Sequence, residues 1–280
     1  MHRNLLAALL VLFLGAAGPM TPAPGPAPGP VRIIGVGGMG CIQGAVRLPD
    51  EVPGLQTIRI ARSSFWGHPE TIAHLRELGL RAQAAGIADL YMGDLSGPRG
   101  GPLAGGHMSH QMGIDADVYL DLGPHPKLTP AQREALEPPS LVRADGRGID
   151  PARWRPEHAT LLRLAATLPG VDRVLVNAAI KKQLCESVTG ERGWIRLVRP
   201  WWGHASHMHI NFQCPAGQPE CPARPPPPPP GDGCDASLQW WFDRLDHPAK
   251  PEVATGPAKP RALPAACGPI MAAPPRTGPG

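Results

Sequence analysis

The chain has 280 residues, a formal charge of +4 and 42% hydrophobic residues, which suits one large domain or two small ones. Its 38 prolines and 34 glycines follow no Gly-X-Y period, which excludes a collagen-like chain. Twenty-four of the 38 prolines fall between Pro19 and Pro30, Pro215 and Pro230, or Pro248 and Pro279, so the chain reads as a globular body with Pro-rich edges.

The start reads as an export signal. Arg3 supplies a positive charge, Leu5 to Leu14 an apolar run, and Gly15 to Gly18 small residues for cleavage. The run is shorter than the roughly 20 apolar residues that span a bilayer, and no other stretch is expected to cross a membrane. The expected organisation is a signal at 1–18, a Pro-rich linker at 19–30, a domain at 31–247 with a Pro-rich loop at 215–232, and a Pro-rich tail at 248–280.

Within the domain, Val31 to Ile34 leads into Gly35-Val-Gly37-Gly-Met-Gly40. This matches G-x-G-x-x-G, but Gly44 and Pro49 oppose the helix that dinucleotide binding requires, so a strand running out into a loop is expected. Pro69 starts a helix over Glu70 to Ala85, with Ile72, Leu75, Leu78 and Leu80 spaced roughly to one face. Strands are expected at Ala88 to Met92, Ile114 to Leu122, Arg173 to Val176 and Met208 to Phe212. Helices are expected at Thr129 to Leu136, Pro156 to Ala166 and Asn177 to Cys185. The order is not strict βαβ, so the expected class is α+β, a central and mainly antiparallel sheet flanked by helices.

Six cysteines in an exported chain imply disulfides. Cys214 and Cys221 enclose a short loop and are suited to joining each other, and a bond from Cys267 would tie down the tail. Basic residues are scattered, so nucleic-acid binding has no support.

Five of the eleven histidines form two tight groups. One is His107-Met-Ser-His110-Gln-Met-Gly-Ile-Asp115-Ala-Asp117. The other is Trp201-Trp202-Gly-His204-Ala-Ser-His207-Met-His209. On an extended strand, residues two apart share a face. His207 and His209 therefore face a cleft while Met208, Ile210 and Phe212 face a core. One Asp and two His would give zinc three N/O ligands and leave a position for water, whose pKa zinc lowers to about 7. Asp115 is read as a supporting acid. Trp201 and Trp202 either line substrate or anchor the sheet, and anchoring is the reading preferred for a single tryptophan. The chain has no His-Glu-x-x-His, Ser-x-x-Lys or Gly-x-Ser-x-Gly, which argues against a thermolysin-like helix and against serine-type endopeptidase activity.

The spacing His110-x6-Asp117 with His207-x-His209 resembles the LAS zinc metallopeptidases. Gly101-Pro-Leu-Ala-Gly-Gly-His-Met-Ser-His-Gln-Met-Gly-Ile-Asp115-Ala-Asp117 and Val198-Arg-Pro-Trp-Trp-Gly-His-Ala-Ser-His-Met-His209 resemble, more specifically, the penicillin-insensitive murein endopeptidases of the bacterial periplasm. Trp66-Gly-His-Pro69 and Val176-Asn-Ala-Ala-Ile-Lys-Lys-Gln-Leu-Cys185 share the likeness. The resemblance implies a single LAS-like domain, with His110, Asp117 and His209 as zinc ligands and His107 also at the metal. It implies disulfides Cys41–Cys267, Cys185–Cys234 and Cys214–Cys221. It also implies a periplasmic enzyme whose partners are peptidoglycan stem peptides and whose reaction hydrolyses the D-alanyl–meso-diaminopimelate amide by attack of a metal-bound water. Where some LAS peptidases carry Glu-x-x-His-x-His, this chain has His204-Ala-Ser-His207-Met-His209. His204 then stands as the base and His207 as the partner of the oxyanion, roles that spacing leaves interchangeable. Some relatives carry Asp-Gly-x-His for a second metal. Here Asp145-Gly146-Arg147-Gly148 lacks the histidine, so Asp145 is expected to be a turn residue. A D,D-carboxypeptidase or dipeptidase on the same scaffold and a non-catalytic zinc-stabilised wall-binding module are the competing readings. A homodimer is left open.

Overall fold

A computed structural model of the protein describes residues 25–103, 107, 109–223, 225, 231–247 and 262–275. The expected signal segment, the first half of the linker, most of the Pro225–Pro230 run and much of the Pro-rich tail lie outside the described residues.

β1 (Arg32–Val36) and β2 (Met39–Gln43) form an antiparallel hairpin. Gly37 and Gly38 turn it with φ of 62° and 83°, the left-handed pair of a two-residue hairpin turn. Gly40 faces Gly35 across the ladder, where a Cβ would lie 1.9 Å from the Ile34 carbonyl oxygen. The glycine run therefore closes a strand pair instead of running out into a loop, and no helix opens there.

Short strands β3 (Val46–Arg47), β4 (Glu51–Val52), β5 (Leu55–Thr57) and β6 (Trp66–Gly67) lead to α1 (Pro69–Ala84). His68 caps α1 through Nδ1, which accepts from the Glu70 amide at 3.2 Å, and Pro69 supplies the preset φ of a first helical residue. Next come β7 (Leu90–Met92), β8 (Asp115–Tyr119), α2 (Pro130–Ala135) and α3 (Pro156–Ala166). They are followed by β9 (Val171–Val176), α4 (Ala178–Ser187), β10 (Val198–Pro200) and β11 (His207–Phe212). The last helices are α5 (Ala236–Asp246), which the sequence reading did not anticipate, and α6 (Gly268–Ala272).

The architecture is α+β. Seven strands run in the order β10-β9-β11-β8-β7-β5-β4. Only β10–β9 and β7–β5 pair in parallel; the other neighbours are antiparallel. Ala116, Val118, Met208, Ile210 and Phe212 turn one face toward Leu75 and Leu78 of α1 and Leu161 and Leu162 of α3, where all are buried in one core. A buried leucine contributes about 1.5–3 kcal/mol. That core fixes the two central strands, β8 and β11, and leaves their other face for chemistry.

Three disulfides are present: Cys41–Cys267, Cys185–Cys234 and Cys214–Cys221. The first closes a separation of 226 residues and brings the C-terminal segment against the hairpin, where Ile34 and Ile270 are buried together. Arg99 reinforces that seam by donating to the carbonyl oxygens of Gly25 at 2.9 Å and Met271 at 2.7 Å.

Lys181 on α4 is buried, and its Nζ donates to the carbonyl oxygens of Ile195 at 2.7 Å and Asp232 at 2.6 Å. Burial pushes its ammonium down from 10.5 to about 7. Between those values the unfolded chain holds a proton that the folded chain has lost, so stability rises with pH across the interval. The expected result is that denaturant midpoints of the wild type gain on those of Lys181→Met as pH rises from about 7 to about 10. Parallel pH profiles for the two proteins would refute it.

Candidate metal and catalytic site

The register of the central strands assembles the site. β11 runs antiparallel to β8 with His209 opposite Asp117, Asn211 opposite Asp115 and His207 opposite Tyr119. All six positions fall on the face turned away from the helices, because side chains alternate along extended strands. Asp115 thus shares a face with Asp117. It accepts from the Asn211 amide and lies 3.7 Å from His209 Nε2, so it supports His209 from behind.

His110 enters from the loop before β8 with φ of 64°, a left-handed conformation rare for a side chain with a Cβ. Its neighbour Gln111 holds the loop to the hairpin: its amide donates to the Gly38 carbonyl oxygen at 3.2 Å and its Oε1 accepts from the Gly40 amide at 3.3 Å. His110 Nδ1 donates to the Leu95 carbonyl oxygen at 2.9 Å, which leaves Nε2 as a lone-pair donor 3.3 Å from Asp117 Oδ1. His209 Nδ1 reaches the same Oδ1 at 2.9 Å, and the His110 and His209 rings meet edge to face with centroids 4.5 Å apart.

His107 lies at the rim of this cluster. One donor atom each from His107, His110 and Asp117 lie within 4.8 Å of one another. His107 Nε2 also lies 3.2 Å from Asp94 Oδ2, and Asp94 accepts from Arg62 Nη1 at 2.7 Å and from Ser64 Oγ. Burial opposes charge on Asp94, but His107, Ser64 and Arg62 hold its carboxyl down at about 2.

Electrostatically, the centre is the buried Asp117 carboxylate among imidazoles, with the Asp115 carboxylate behind it. Burial by itself would push Asp117 up, yet His110 and His209 hold it well below the usual carboxylate range. Burial would likewise push His209 down, and the Asp115 and Asp117 carboxylates raise it to about 9. A deprotonated carboxylate beside the His110 Nε2 lone pair and the His209 ring, where a cation would take the place of the extra proton, is a donor set that fits a borderline divalent cation such as zinc.

His204 and His207 stand on the open side. His204 also has a left-handed backbone, φ 50°, in the loop between β10 and β11. That loop is bound at several points: the Asn177 amide donates to the His204 carbonyl oxygen at 2.9 Å, Asn177 Nδ2 to Gly203 at 3.0 Å, and the Leu141 amide to Ala205 at 2.7 Å. His204 Nδ1 donates to the Trp202 carbonyl oxygen at 2.7 Å, which leaves Nε2 free to accept a proton. Burial, then the neighbouring His207, lowers His204 to about 4, and burial lowers His207 as well. Both rings are therefore neutral bases near pH 7. His207 Nε2 is 3.9 Å from Asp117 Oδ2.

His107, His110, Asp117, His204, His207 and His209 all line one cleft of about 880 Å³. Trp201 and Trp202 border it and are 51% and 47% exposed, so they do not serve as core anchors. Asp145 is a turn residue whose Oδ1 accepts from the Arg147 amide at 2.9 Å. Sequence reasoning missed Tyr119, Asn211, Asp94 and Arg62. Tyr119 and Asn211 continue the alternation from Asp117 and His209 and were legible from it, whereas no spacing marks Asp94 or Arg62.

Residues 33–272 match the sequence pattern of the family described as penicillin-insensitive murein endopeptidase. The chain belongs to that family. A penicillin-insensitive murein endopeptidase of Salmonella heidelberg (strain SL476) is 41% identical over 268 residues, covering 93% of this chain and 94% of the relative. One of Klebsiella pneumoniae is 40% identical over 272 residues, covering 95% and 96%. The span shared with the penicillin-insensitive murein endopeptidases runs from β1 into α6. It therefore takes in every site residue named above and both ends of the Cys41–Cys267 bond.

Asn177 joins fold and site, since it also caps α4 by accepting from the Ala179 amide at 2.9 Å. Asn177→Ala is expected to cost about 1 kcal/mol in stability through the lost cap and to reduce turnover further by loosening His204. Thermal unfolding with kcat measured well below the transition separates the two effects. Full kcat in a folded variant would show that the loop needs no such tether.

Proposed function

We propose that this chain is an exported, zinc-dependent murein endopeptidase that hydrolyses D-alanyl–meso-diaminopimelate cross-links of peptidoglycan. The observation that carries this reading is the pairing of His209 with Asp117 across two central strands, with His110 Nε2 directed at the same carboxylate oxygen. His110, Asp117 and His209 would hold the metal, and His107 flanks it from the Asp94 side. When bound, zinc polarises a carbonyl and lowers the pKa of water. His204 accepts the proton of the attacking water at Nε2, the nitrogen not engaged by the Trp202 carbonyl, and returns it to the leaving amine. His207 donates an N–H to the oxygen on which negative charge develops. β8 and β11 fix Asp117, His207 and His209, and the tethered loops fix His110 and His204, so little reorganisation is required when charge forms.

Export is supported by the three disulfides, which persist in oxidising compartments such as the periplasm. Among the described residues no helix is long and apolar enough to cross a membrane.

The test is product analysis with cross-linked muropeptide dimers. Conversion of dimers to monomers is expected, abolished by chelator, restored by zinc and indifferent to penicillin. Release of free D-alanine instead would mark a carboxypeptidase, and binding without any cleavage a wall-binding module. Full activity after exhaustive metal removal would sink the mechanism.

A further inference from the structure

Beside the catalytic cleft lies an aromatic surface that the hydrolytic chemistry does not use. Trp240 and Trp241 occupy the middle of α5, whose Leu238 and Phe242 are buried together with Ala178 at the start of α4. The two indoles meet Trp201 and Trp202 from the loop after β10. Trp202 and Trp241 have ring centroids 4.9 Å apart, Trp201 and Trp241 6.1 Å, and Trp240 and Trp241 5.1 Å. Trp201, Trp202 and Trp240 remain 51%, 47% and 46% exposed. Apolar area concentrated at the surface in this way marks a binding surface rather than a folding requirement.

The platform is held rigidly from below. The Trp201 amide donates to the Val176 carbonyl oxygen at 2.8 Å, the Cys185–Cys234 bond and Lys181 secure the segment leading into α5, and the Arg244 guanidinium sits 4.7 Å over the Trp240 ring.

A groove of about 690 Å³ runs along this surface and shares Arg173, Leu175 and Trp201 with the catalytic cleft, so a bound chain can pass from one to the other. Its charged lining is mixed, with Arg173, Arg196 and Arg199 beside Asp232 and Asp235. Arg173 is paired with Asp172 at 2.5 Å, and Asp232 with Arg192 at 2.7 Å. With both signs of charge present and at least two of the five groups already paired, the lining is unsuited to a polyanion, which needs a row of uncompensated cations. It suits a neutral polyol. Flat indoles pack against the C–H faces of pyranose rings, and planar guanidinium and carboxylate groups hydrogen-bond hydroxyl and acetamide groups.

We infer that the groove walled by Trp201 and Trp241, together with the exposed Trp240 ring packed beside Trp241, binds the N-acetylated amino-sugar strand of peptidoglycan and thereby feeds its stem peptides into the adjacent cleft. The inference rests on the murein endopeptidase reading for its substrate, but its test does not require catalysis. Metal-stripped, full-length mature protein is titrated with an N-acetylglucosamine tetramer by calorimetry and tryptophan fluorescence. Saturable binding is expected, weakened about tenfold by Trp240→Ala and by Trp201→Ala and largely recovered by Trp240→Phe, with circular dichroism verifying each fold. In the zinc-loaded enzyme, Trp240→Ala is expected to raise KM for intact sacculi more than fivefold, while kcat/KM for a sugar-free cross-linked peptide dimer shifts less than twofold.

Absence of saturable tetramer binding, wild-type affinity in Trp240→Ala, or tighter binding of a sugar-free stem peptide than of the tetramer would overturn the inference. Cleavage of cross-links with equal effects of Trp240→Ala on sacculi and peptide dimers would overturn it while leaving the endopeptidase reading intact. Sugar binding as expected without cross-link cleavage would do the reverse.

Discussion

Asp117→Ala is expected to abolish stoichiometric zinc binding and to lower kcat/KM on cross-linked muropeptides by roughly 10³-fold or more, since a catalytic metal supplies several kcal/mol of charge stabilisation. Among the described residues, Asp117 is the carboxylate that touches both His110 Nε2, at 3.3 Å, and His209 Nδ1, at 2.9 Å. Its loss removes a ligand and also the charge that balances His209, which Asp115 and Asp117 together raise to about 9. Breaking such a buried pair costs about 3–5 kcal/mol, so the metal-free variant should also melt earlier than metal-free wild type. Asp117→Asn keeps the shape and separates charge from packing. It should lose zinc as the alanine variant does while disturbing the strand pairing less. Metal analysis, calorimetric unfolding and dimer-to-monomer conversion check these outcomes, and wild-type zinc content with wild-type turnover in Asp117→Ala would defeat the assignment.

His204→Ala and His207→Ala should each reduce turnover by about tenfold to 10³-fold with zinc content unchanged, the range for losing a proton acceptor or a donor to the oxyanion. Both rings are neutral near pH 7 because burial lowers them, and neither is needed to hold the ion in the arrangement proposed. The double variant should lose much less than the product of the two single losses, because the groups act on one proton inventory. His204 has its Nδ1 committed to the Trp202 carbonyl, so His204→Gln, which places an amide rather than a base there, should be as inactive as the alanine variant. Unimpaired turnover in both single variants would remove these histidines from the mechanism.

Much of the site was legible because it lies on strands. The alternation His207-Met208-His209 and Asp115-Ala116-Asp117 announces which side chains share a face, and the burial of Met208, Ile210, Ala116 and Val118 follows the same rule. Helices with a proline at the first turn, α1, α2 and α3, were equally legible. The glycine run at 35–40 was misread as a loop exit, since a G-x-G-x-x-G string does not say whether the chain turns back on itself. The hairpin is decided by the close Gly35–Gly40 approach and by the contact with Gln111. α5 was missed between a Pro-rich stretch and a Pro-rich tail, and its order depends on Leu238 and Phe242 finding α4 and on the Cys185–Cys234 bond.

Local spacing, then, was sufficient to mark the two histidine groups and to place His207 and His209 on one strand face, because side-chain direction along an extended chain is a property of covalent geometry. The roles given to His110, Asp117, His204, His207 and His209 came from the resemblance. Which carboxylate meets which imidazole, how Asp94 and Arg62 come to stand behind His107, and why four tryptophans from two remote segments share one surface were settled by sheet register, core packing and cross-linking. Those are contacts between residues far apart in the chain, and no local pattern encodes them.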